Sequence, residues 1–317
     1  MVRLIEPNGD ITWEYELNTN NEILHHDAER LPNGNILLII WERIDTLSLE
    51  QLGGDYTSDI FTEKIIEINP STNDIVWQWR SIEHTIQDFN SNATNFGDIS
   101  QNPNRIDINY NSNLSDGDIM HSNGFDYDVE KDVIYLSINF YNEVWVIDHS
   151  TSTQEAAGTS GGNYNKGGDL VYRFGNPLTY NNTEGDVLFD RNHFPNILEN
   201  NELGAGNILI YVNGNSIAQS TVYELDIPSD FSLLPNTNNE PSIIWSFTDE
   251  NLFSNKISGA VRLKNGNTLI CEGDFGYWEV TTNGEVVWKY NGLGTSFWRG
   301  YAYDLDAPGL SQLGISF

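Results

Sequence analysis

The stretch that decides the fold is DRNHFPNILENNELGAGNILIYVNGN, residues 190–215. His193 opens a short apolar strand, a polar turn follows, and Gly-Asn leads into a second strand over residues 208–212. The same plan occurs three more times: HHD ahead of LPNGNILLII (25–40), HSN ahead of DVIYLSIN (121–139) and SGA ahead of LKNGNTLICEG (258–273). Self-similarity at this scale indicates a repeat architecture.

Each copy closes with a strand of similar pattern. These strands are DIVWQW (74–79), DLVYRF (169–174), SIIWSF (242–247) and EVVWKY (285–290). Four-stranded units separated by turn residues, with almost no helical pattern, are typical of a β-propeller. We therefore predict an all-β fold, a β-propeller of four-stranded blades.

The predicted blades follow the repeats within a single domain, 1–317. They cover about 23–80, 119–175, 190–249 and 257–290, with closing half-blades at 2–17 and 297–317 and a polar insertion at 81–118. We expect the two half-blades to meet and close the ring, because each resembles part of a repeat. Five units are then visible, and a sixth would need further strands ahead of residue 2.

The formal net charge of −31 extends over the whole chain. Such a field repels nucleic acid and anionic membranes, so neither is an expected partner. Adaptation to salty water or simple solubility accounts for the charge. No apolar run is long enough to span a bilayer, so we expect no membrane insertion. The single cysteine, Cys271, lies in a strand pattern and is expected to be an inert buried thiol.

Three of the six histidines fall at one position of the repeat. Because the first strand of each blade lines the channel of a propeller, we expect His26, His121 and His193 to converge there. Two kinds of chemistry fit such a cluster. The imidazoles and Asp27 are suitable ligands for a transition metal. Alternatively, one imidazole is a nucleophile and the others stabilise an anionic group during its transfer. His84 is expected at the surface and His149 in a structural role.

The placement of these histidines ahead of the LPNGNIL, DYDVEKDVIYLS and GNILIYVNGN segments resembles the bacterial aryl-sulfate sulfotransferases. The similarity covers about residues 20–300, and it is closest to Asn-rich, marine-type members with IDHST (147–151) and GNYNKGGDL (162–170) segments. The resemblance implies a propeller enzyme that moves a sulfuryl group between phenols through a sulfated histidine. It implies an aryl sulfate donor, a phenolic acceptor and no cofactor.

The resemblance also assigns roles to individual residues. His193 matches the nucleophile, and His121 with Asn123 matches the pair that contacts the sulfuryl oxygens. His26 or its neighbour His25 matches the histidine of the first blade, and the sequence leaves open which of them faces the channel.

One position departs from the family pattern. Asn139 stands where the family carries a catalytic arginine. Arg299 aligns with the channel mouth and is the predicted substitute, and Trp298 and Phe194 are expected to stack on the phenol.

The resemblance further implies export, so that the full-length form would be periplasmic or secreted, although this chain opens with no leader. An incomplete ring would favour a homodimer. Two other functions stay open: a metal-dependent enzyme using the three histidines, and a non-catalytic propeller that binds a ligand through its loops.

Overall fold

The computed structural model describes residues 1–303 and 305–315. Four consecutive meanders of four antiparallel strands, called blades 1 to 4 below, make up most of this part of the chain. A two-stranded sheet, β1 (Val2–Ile5) and β2 (Ile11–Tyr15), precedes them. Blade 1 contains β3 (Glu22–Arg30), β4 (Ile36–Ile44), β5 (Ile60–Asn69) and β6 (Asp74–Arg80).

The remaining strands follow in chain order. A short parallel pair, β7 (Thr85–Ile86) and β8 (Ile106–Asp107), follows blade 1. Blade 2 contains β9 (Ser122–Asp128), β10 (Val133–Ile138), β11 (Glu143–Asp148) and β12 (Tyr172–Phe174). Blade 3 contains β13 (Asn192–Ile197), β14 (Ile208–Val212), β15 (Thr221–Asp226) and β16 (Ser242–Phe247). Blade 4 contains β17 (Gly259–Arg262), β18 (Thr268–Glu272), β19 (Gly276–Val280) and β20 (Val286–Asn291).

The first strands of the four blades lie side by side in chain order. β3 contacts β9, β9 contacts β13, and β13 contacts β17. First strands surround the channel of a propeller, so the predicted fold class is confirmed. The extent of the domain stays a prediction.

The hydrophobic core lies between neighbouring blades rather than at the centre. Trp79 of blade 1 is fully buried in one cluster with Leu136 and Trp145 of blade 2. Equivalent clusters join blade 2 to blade 3 and blade 3 to blade 4. Burying a large side chain contributes about 1.5–3 kcal/mol. Because the apolar faces of the blades are buried against neighbouring blades, the repeats stabilise one another.

The terminal segments do not pair as expected. β1 and β2 form a sheet of their own, and Trp13 packs on Ile36 and Ile66 of blade 1. The described residues of 297–317 contain a short helix, α3 (Pro308–Gln312), and no strand. Their start is instead bonded to blade 4, since the Ser258 N–H donates to the Trp298 carbonyl at 3.1 Å and the Phe297 N–H donates to the Gly273 carbonyl at 2.9 Å. Asp304, which belongs to the predicted half-blade 297–317, lies outside the described residues.

The polar insertion 81–118 is packed against the blades. It carries 3-10 helices at Ser81–His84 and Ile99–Gln101, and Ile106 and Ile108 are fully buried in the core next to blade 2. The prediction that His84 lies at the surface is wrong. Its ring is buried, with Nδ1 2.9 Å from Asp169 Oδ1 and Nε2 2.8 Å from the Ala156 carbonyl.

Helices are few and short. The remaining ones are α1 (Thr46–Gln51), α2 (Thr153–Ala156) and a 3-10 helix at Pro177–Tyr180. Over the described residues, no helix combines the length and the apolar character that crossing a bilayer requires.

His149 connects blades 1 and 2 through two carboxylates. Its Nε2 lies 3.0 Å from Glu67 Oε2 and its Nδ1 lies 2.8 Å from Asp132 Oδ1, with Trp77 packed on the ring. Burial acts to lower the pKa of His149, but the hydrogen bonds that the ring donates to the two carboxylates outweigh it and raise the pKa above its ordinary value. The imidazolium is therefore the form that stabilises the fold.

We predict that His149→Ala lowers the free energy of unfolding by about 2 kcal/mol at pH 6, since hydrogen bonds to charged groups contribute about 1.5–3 kcal/mol. A raised folded-state pKa gives stabilisation that is complete below the unfolded pKa and is lost as pH rises through the folded pKa. Urea denaturation of parent and variant should therefore give a smaller difference at pH 9 than at pH 6. Equal differences at both pH values would contradict this role.

Candidate active site

The three histidines expected at the channel lie on or immediately before the first strands of neighbouring blades. His26 lies in β3, His121 immediately precedes β9 and His193 lies in β13. His26 and His121 both have a φ of 53°, a left-handed conformation that costs a residue with a side chain roughly 1–2 kcal/mol. Strand pairing also shifts at this place, between Leu24 and Ala28 in blade 1. Such bulges redirect side chains, and here they turn the imidazoles toward one another.

The imidazoles of His26 and His121 are in contact, with ring centroids 4.8 Å apart. Trp41 lies within 6.2 Å of both rings, and Trp298 lies 5.3 Å from His26. His193 belongs to the same group, because burial and then positive charge on His121 lower its pKa. The structure therefore brings the three side chains together, with two tryptophans beside them.

His121 is held by a carboxylate that precedes it by one turn. Its Nδ1 lies 2.5 Å from Asp118 Oδ2, and Asp118 Oδ1 accepts the His121 backbone N–H at 3.0 Å. A carboxylate accepts only, so Nδ1 carries the hydrogen. Nε2 is then the ring nitrogen without a partner among the described residues. Phe140 stacks on the ring at 4.8 Å and fixes its plane.

His26, rather than His25, faces the other two histidines. His25 stacks on Trp41 at 4.4 Å and points its Nε2 at Glu63 Oε2, 3.1 Å away. The two imidazoles meet through their Nδ1 atoms at 2.7 Å. Burial, followed by positive charge on His25 and His121, lowers the pKa of His26 to about 3. His26 is therefore neutral at pH 7.

His193 is buried, and both of its ring nitrogens have partners. Nδ1 lies 2.6 Å from Asn213 Oδ1, and Nε2 accepts the Ile257 N–H at 3.2 Å. The Asn213 amide is itself oriented, since its nitrogen donates to the carbonyls of Ser254 and Ile257. Nδ1 therefore carries the hydrogen and Nε2 carries the lone pair. Burial lowers the pKa of His193 to about 3, so the ring is neutral at pH 7.

Arg299 reaches the channel, but its charge is already compensated. Its Nη2 donates to Asp27 Oδ2 at 2.8 Å, and its guanidinium lies 4.1 Å from the ring centre of Phe194. Gly124 makes room for this pair, because a Cβ there would lie 2.9 Å from Arg299 Nη2. Arg299 is thus buried as an ion pair. Phe194 is buried beneath it and not free to stack on a ligand.

A second arginine, which the sequence analysis missed, lies next to Asn139. Arg191 Nη1 donates to Asn139 Oδ1 at 3.2 Å, and its guanidinium lies 4.5 Å from the ring centre of Phe140. It makes no ion pair with any described residue. Its positive charge also contributes to the lowered pKa of His193, after burial. Arg191 is therefore an uncompensated cation beside the cluster.

Asn123 and Asn139 hold the backbone next to His193. Their amide nitrogens both donate to the Asn192 carbonyl, at 2.8 and 3.1 Å. Asn123 is 1% exposed, so in this arrangement its amide N–H is used within the protein. Its Oδ1 has no partner among the described residues.

The geometry adds four residues to those predicted: Glu63, Asp118, Arg191 and Asn213. Asp118 lies three residues ahead of His121, and Arg191 lies two residues ahead of His193. Their closeness in sequence to the histidines could have identified both. Asn213 belongs to the NGN turn at residues 213–215, which ends the stretch 190–215. Glu63 has no local signal, since only the sheet brings it to His25.

The geometry lends no support to the metal alternative. No three or more His, Cys, Asp or Glu side chains of residues 1–303 and 305–315 are grouped so that they could hold a metal ion. Nδ1 of His26 and His121 and both nitrogens of His193 are already hydrogen-bonded. Burial raises the pKa of the Cys271 thiol to about 12, as expected for an inert thiol.

The chain was compared with models of known protein families. The model of a family described as arylsulfotransferase (ASST) matches residues 2–292 of this chain. That range includes all four blades and the three histidines. No curated protein matches the chain.

We predict that His193 stays neutral down to about pH 4 in a histidine NMR titration, because its pKa is about 3. Asn213→Asp places an anion 2.6 Å from Nδ1 and should raise that pKa by at least one unit. His149, whose pKa is raised, serves as the internal reference that titrates first as pH falls. Titration of His193 near pH 6.5 in the parent would show that the ring is not buried as described.

Proposed function

This chain belongs to the arylsulfotransferase family, and we propose that it moves a sulfuryl group from an aryl sulfate to a phenol through a sulfated His193. Membership supports aryl sulfotransferase activity in general. The observation that carries the finer proposal is the fixed tautomer of His193, with Nδ1–H on Asn213 and the lone pair on Nε2. A neutral imidazole that carries its lone pair on Nε2 is a competent nucleophile once the Ile257 N–H is displaced from that nitrogen.

In the first step Nε2 of His193 forms a bond to sulfur while the S–O bond to the aryl group breaks. The electron pair of that bond leaves with the phenolate oxygen. Attack displaces the Ile257 N–H, which at 3.2 Å is a long hydrogen bond. That N–H then becomes available to a sulfuryl oxygen, an interaction gained only as the bond forms. Asn213 continues to accept from Nδ1, so the sulfated ring keeps its orientation.

The sulfuryl oxygens need fixed positive charge or hydrogen-bond donors during transfer. Arg191 meets this need better than Arg299, because Arg299 is paired with Asp27 and Arg191 has no carboxylate partner among the described residues. His121, when protonated, donates from Nε2 while Asp118 stabilises the imidazolium. Contacts from Asn123 and Arg299 to the sulfuryl group stay predictions.

The aryl ring of donor and acceptor is expected to stack beside His26. Trp298 is 42% exposed and lies 5.3 Å from His26, so one face of its indole is accessible. Stacked aromatic pairs contribute about 0.5–1.5 kcal/mol beyond their buried area. Trp298 is a better candidate for this contact than Phe194, which Arg299 covers.

A reaction of this kind passes through a covalent intermediate and needs no nucleotide donor. Export to the periplasm or beyond, and assembly into a homodimer, stay predictions from the sequence. The metal-dependent and the purely ligand-binding alternatives are supported by no specific contact among the described residues.

We predict ping-pong kinetics for transfer from 4-nitrophenyl sulfate to phenol, with parallel double-reciprocal lines. His193→Ala should lower kcat/KM by at least 1,000-fold, since the variant has no group to carry the sulfuryl. His149→Ala is the matched control, because it removes an imidazole that is bonded to Glu67 and Asp132 between blades 1 and 2 and contacts none of the channel histidines among the described contacts. Intersecting lines, or full activity of His193→Ala, would refute the covalent route.

We predict that Arg191→Gln lowers kcat for the same transfer by about 100-fold, as is typical when one donor to a developing oxyanion is removed. Arg299→Gln is the comparison. Because that change leaves Asp27 buried without its cation, it should lower the melting temperature more than it lowers kcat of the folded enzyme. A larger kcat effect at Arg299 than at Arg191 would reverse the two assignments.

A further inference from the structure

Glu63 is a carboxylate buried in blade 1 immediately behind the channel. It is fully buried on β5, and no lysine or arginine of the described residues pairs with it. Oε1 accepts the Ser122 N–H at 2.8 Å, and Oε2 accepts the Ser122 hydroxyl at 2.5 Å. His25 Nε2, 3.1 Å from Oε2, is its remaining partner. Burying an anion is costly unless a cation or several donors compensate it, so Glu63 is best satisfied when His25 is charged.

The hydrogen-bond partners fix where the protons lie. Glu63 only accepts, so His25 Nε2 carries a hydrogen. His25 Nδ1 and His26 Nδ1 are 2.7 Å apart, and one of them must donate to the other. When both rings are neutral, His26 donates from Nδ1 and keeps a lone pair on Nε2 toward the channel. With one more proton, His25 is an imidazolium against Glu63, and His26 carries its hydrogen on Nε2.

We propose, as an extension of the proposed function, that Glu63, His25 and His26 form a proton relay that is the acid–base group of the transfer. In the second half-reaction the acceptor phenol oxygen bonds to sulfur, and the S–Nε2 bond of sulfated His193 breaks, with its electron pair returning to Nε2. The phenol proton moves to His26 Nε2, and the His26 Nδ1 proton moves to His25 Nδ1. The first half-reaction runs the same steps in reverse and gives the leaving phenolate its proton.

Two observations favour His26 over His121 for this task. His121 is hydrogen-bonded directly to Asp118, which suits a ring that holds the sulfuryl oxygens. Among the described residues no carboxylate is hydrogen-bonded to His26, and burial lowers its pKa to about 3. A proton accepted at His26 is therefore passed on. On His25 the charge meets Glu63, whose pKa is held below its ordinary value by His25 and Ser122 despite burial.

Glu63→Gln tests the relay with little change in volume. The Ser122 N–H faces the Oε1 position and can only donate. The glutamine carbonyl oxygen should therefore occupy the Oε1 position, and its NH2 group should face His25. The amide then donates to His25 Nε2. His25 must carry its hydrogen on Nδ1 and donate it to His26 Nδ1, which leaves His26 with Nε2–H and no lone pair in the channel. Reversing the tautomer of a catalytic histidine in this way is severe in other enzymes.

The experiment separates the two half-reactions of the folded enzyme. With 4-nitrophenyl sulfate, whose leaving group needs no acid, Glu63→Gln should sulfate His193 within about threefold of the parent rate. Transfer from sulfated His193 to phenol should fall by about 100-fold, a typical contribution of general base catalysis. Transfer to a nitrophenol already ionised at the assay pH should stay within about threefold, because that acceptor has no proton to lose.

The controls distinguish a relay from a structural effect. Glu67→Gln changes another glutamate of β5, also bonded to a histidine but at His149, and should leave both acceptors unaffected. His25→Phe keeps the stack on Trp41 and breaks the relay, so it should give the same acceptor-selective loss if Glu63→Gln does not fold. Equal losses for both acceptors, or no loss, would overturn the proposal.

A second readout does not depend on sulfotransfer. In 15N-labelled parent at pH 8, imidazole NMR should assign the hydrogen of His25 to Nε2 and that of His26 to Nδ1, and Glu63→Gln should reverse both. Unchanged tautomers in the variant would refute the relay even in an active enzyme. If the parent forms no sulfated histidine, the proposed function fails while this spectrum still tests the relay.

Discussion

The channel depends on one constraint: each of its imidazoles has a neighbour that fixes the hydrogen on a particular ring nitrogen. Asn213 fixes His193, Asp118 fixes His121, and His25 determines the state of His26. The left-handed backbone at His26 and His121 brings these two rings into contact, and His193 lies on the next first strand. Three chemically identical side chains therefore differ in their hydrogen-bond partners. In the reaction that we propose, one is the neutral nucleophile, one holds the sulfuryl oxygens beside its carboxylate, and one exchanges a proton with its neighbour.

The net charge of −31 would repel an aryl sulfate at long range, so the cations near the cluster have to act locally. The Debye length is about 8 Å at physiological ionic strength and shorter in salty water, which leaves only nearby charges effective. Arg299 contributes little net charge because Asp27 faces it, whereas Arg191 lies uncompensated on Phe140. Asn139 connects Arg191 to the strand of His193. Its Oδ1 accepts from Arg191, and its amide nitrogen donates to the carbonyl of Asn192, the residue before His193.

Much of the fold follows from the sequence, because NGN turns and alternating apolar runs recur wherever a blade begins and ends. The convergence of the histidines follows too, since His26, His121 and His193 share one position of the repeat. The hydrogen-bond partners of these imidazoles could not be predicted from the sequence. Glu63 reaches His25 only across paired strands, and no spacing in EKIIEIN distinguishes it from Glu67. Residues 297–303 were expected in a strand, but the structure has no strand there, and backbone hydrogen bonds join Phe297 and Trp298 to Gly273 and Ser258 instead.

The central claim is that the neutral Nε2 of His193 carries the sulfuryl group. Intact-protein mass after brief mixing with 4-nitrophenyl sulfate and no acceptor tests it most directly, followed by peptide mapping of the modified residue. The account predicts a gain of one sulfuryl group on the peptide containing His193, and loss of that gain when phenol is added. An unchanged mass with nitrophenol released, or a sulfuryl group on any other residue, would contradict it.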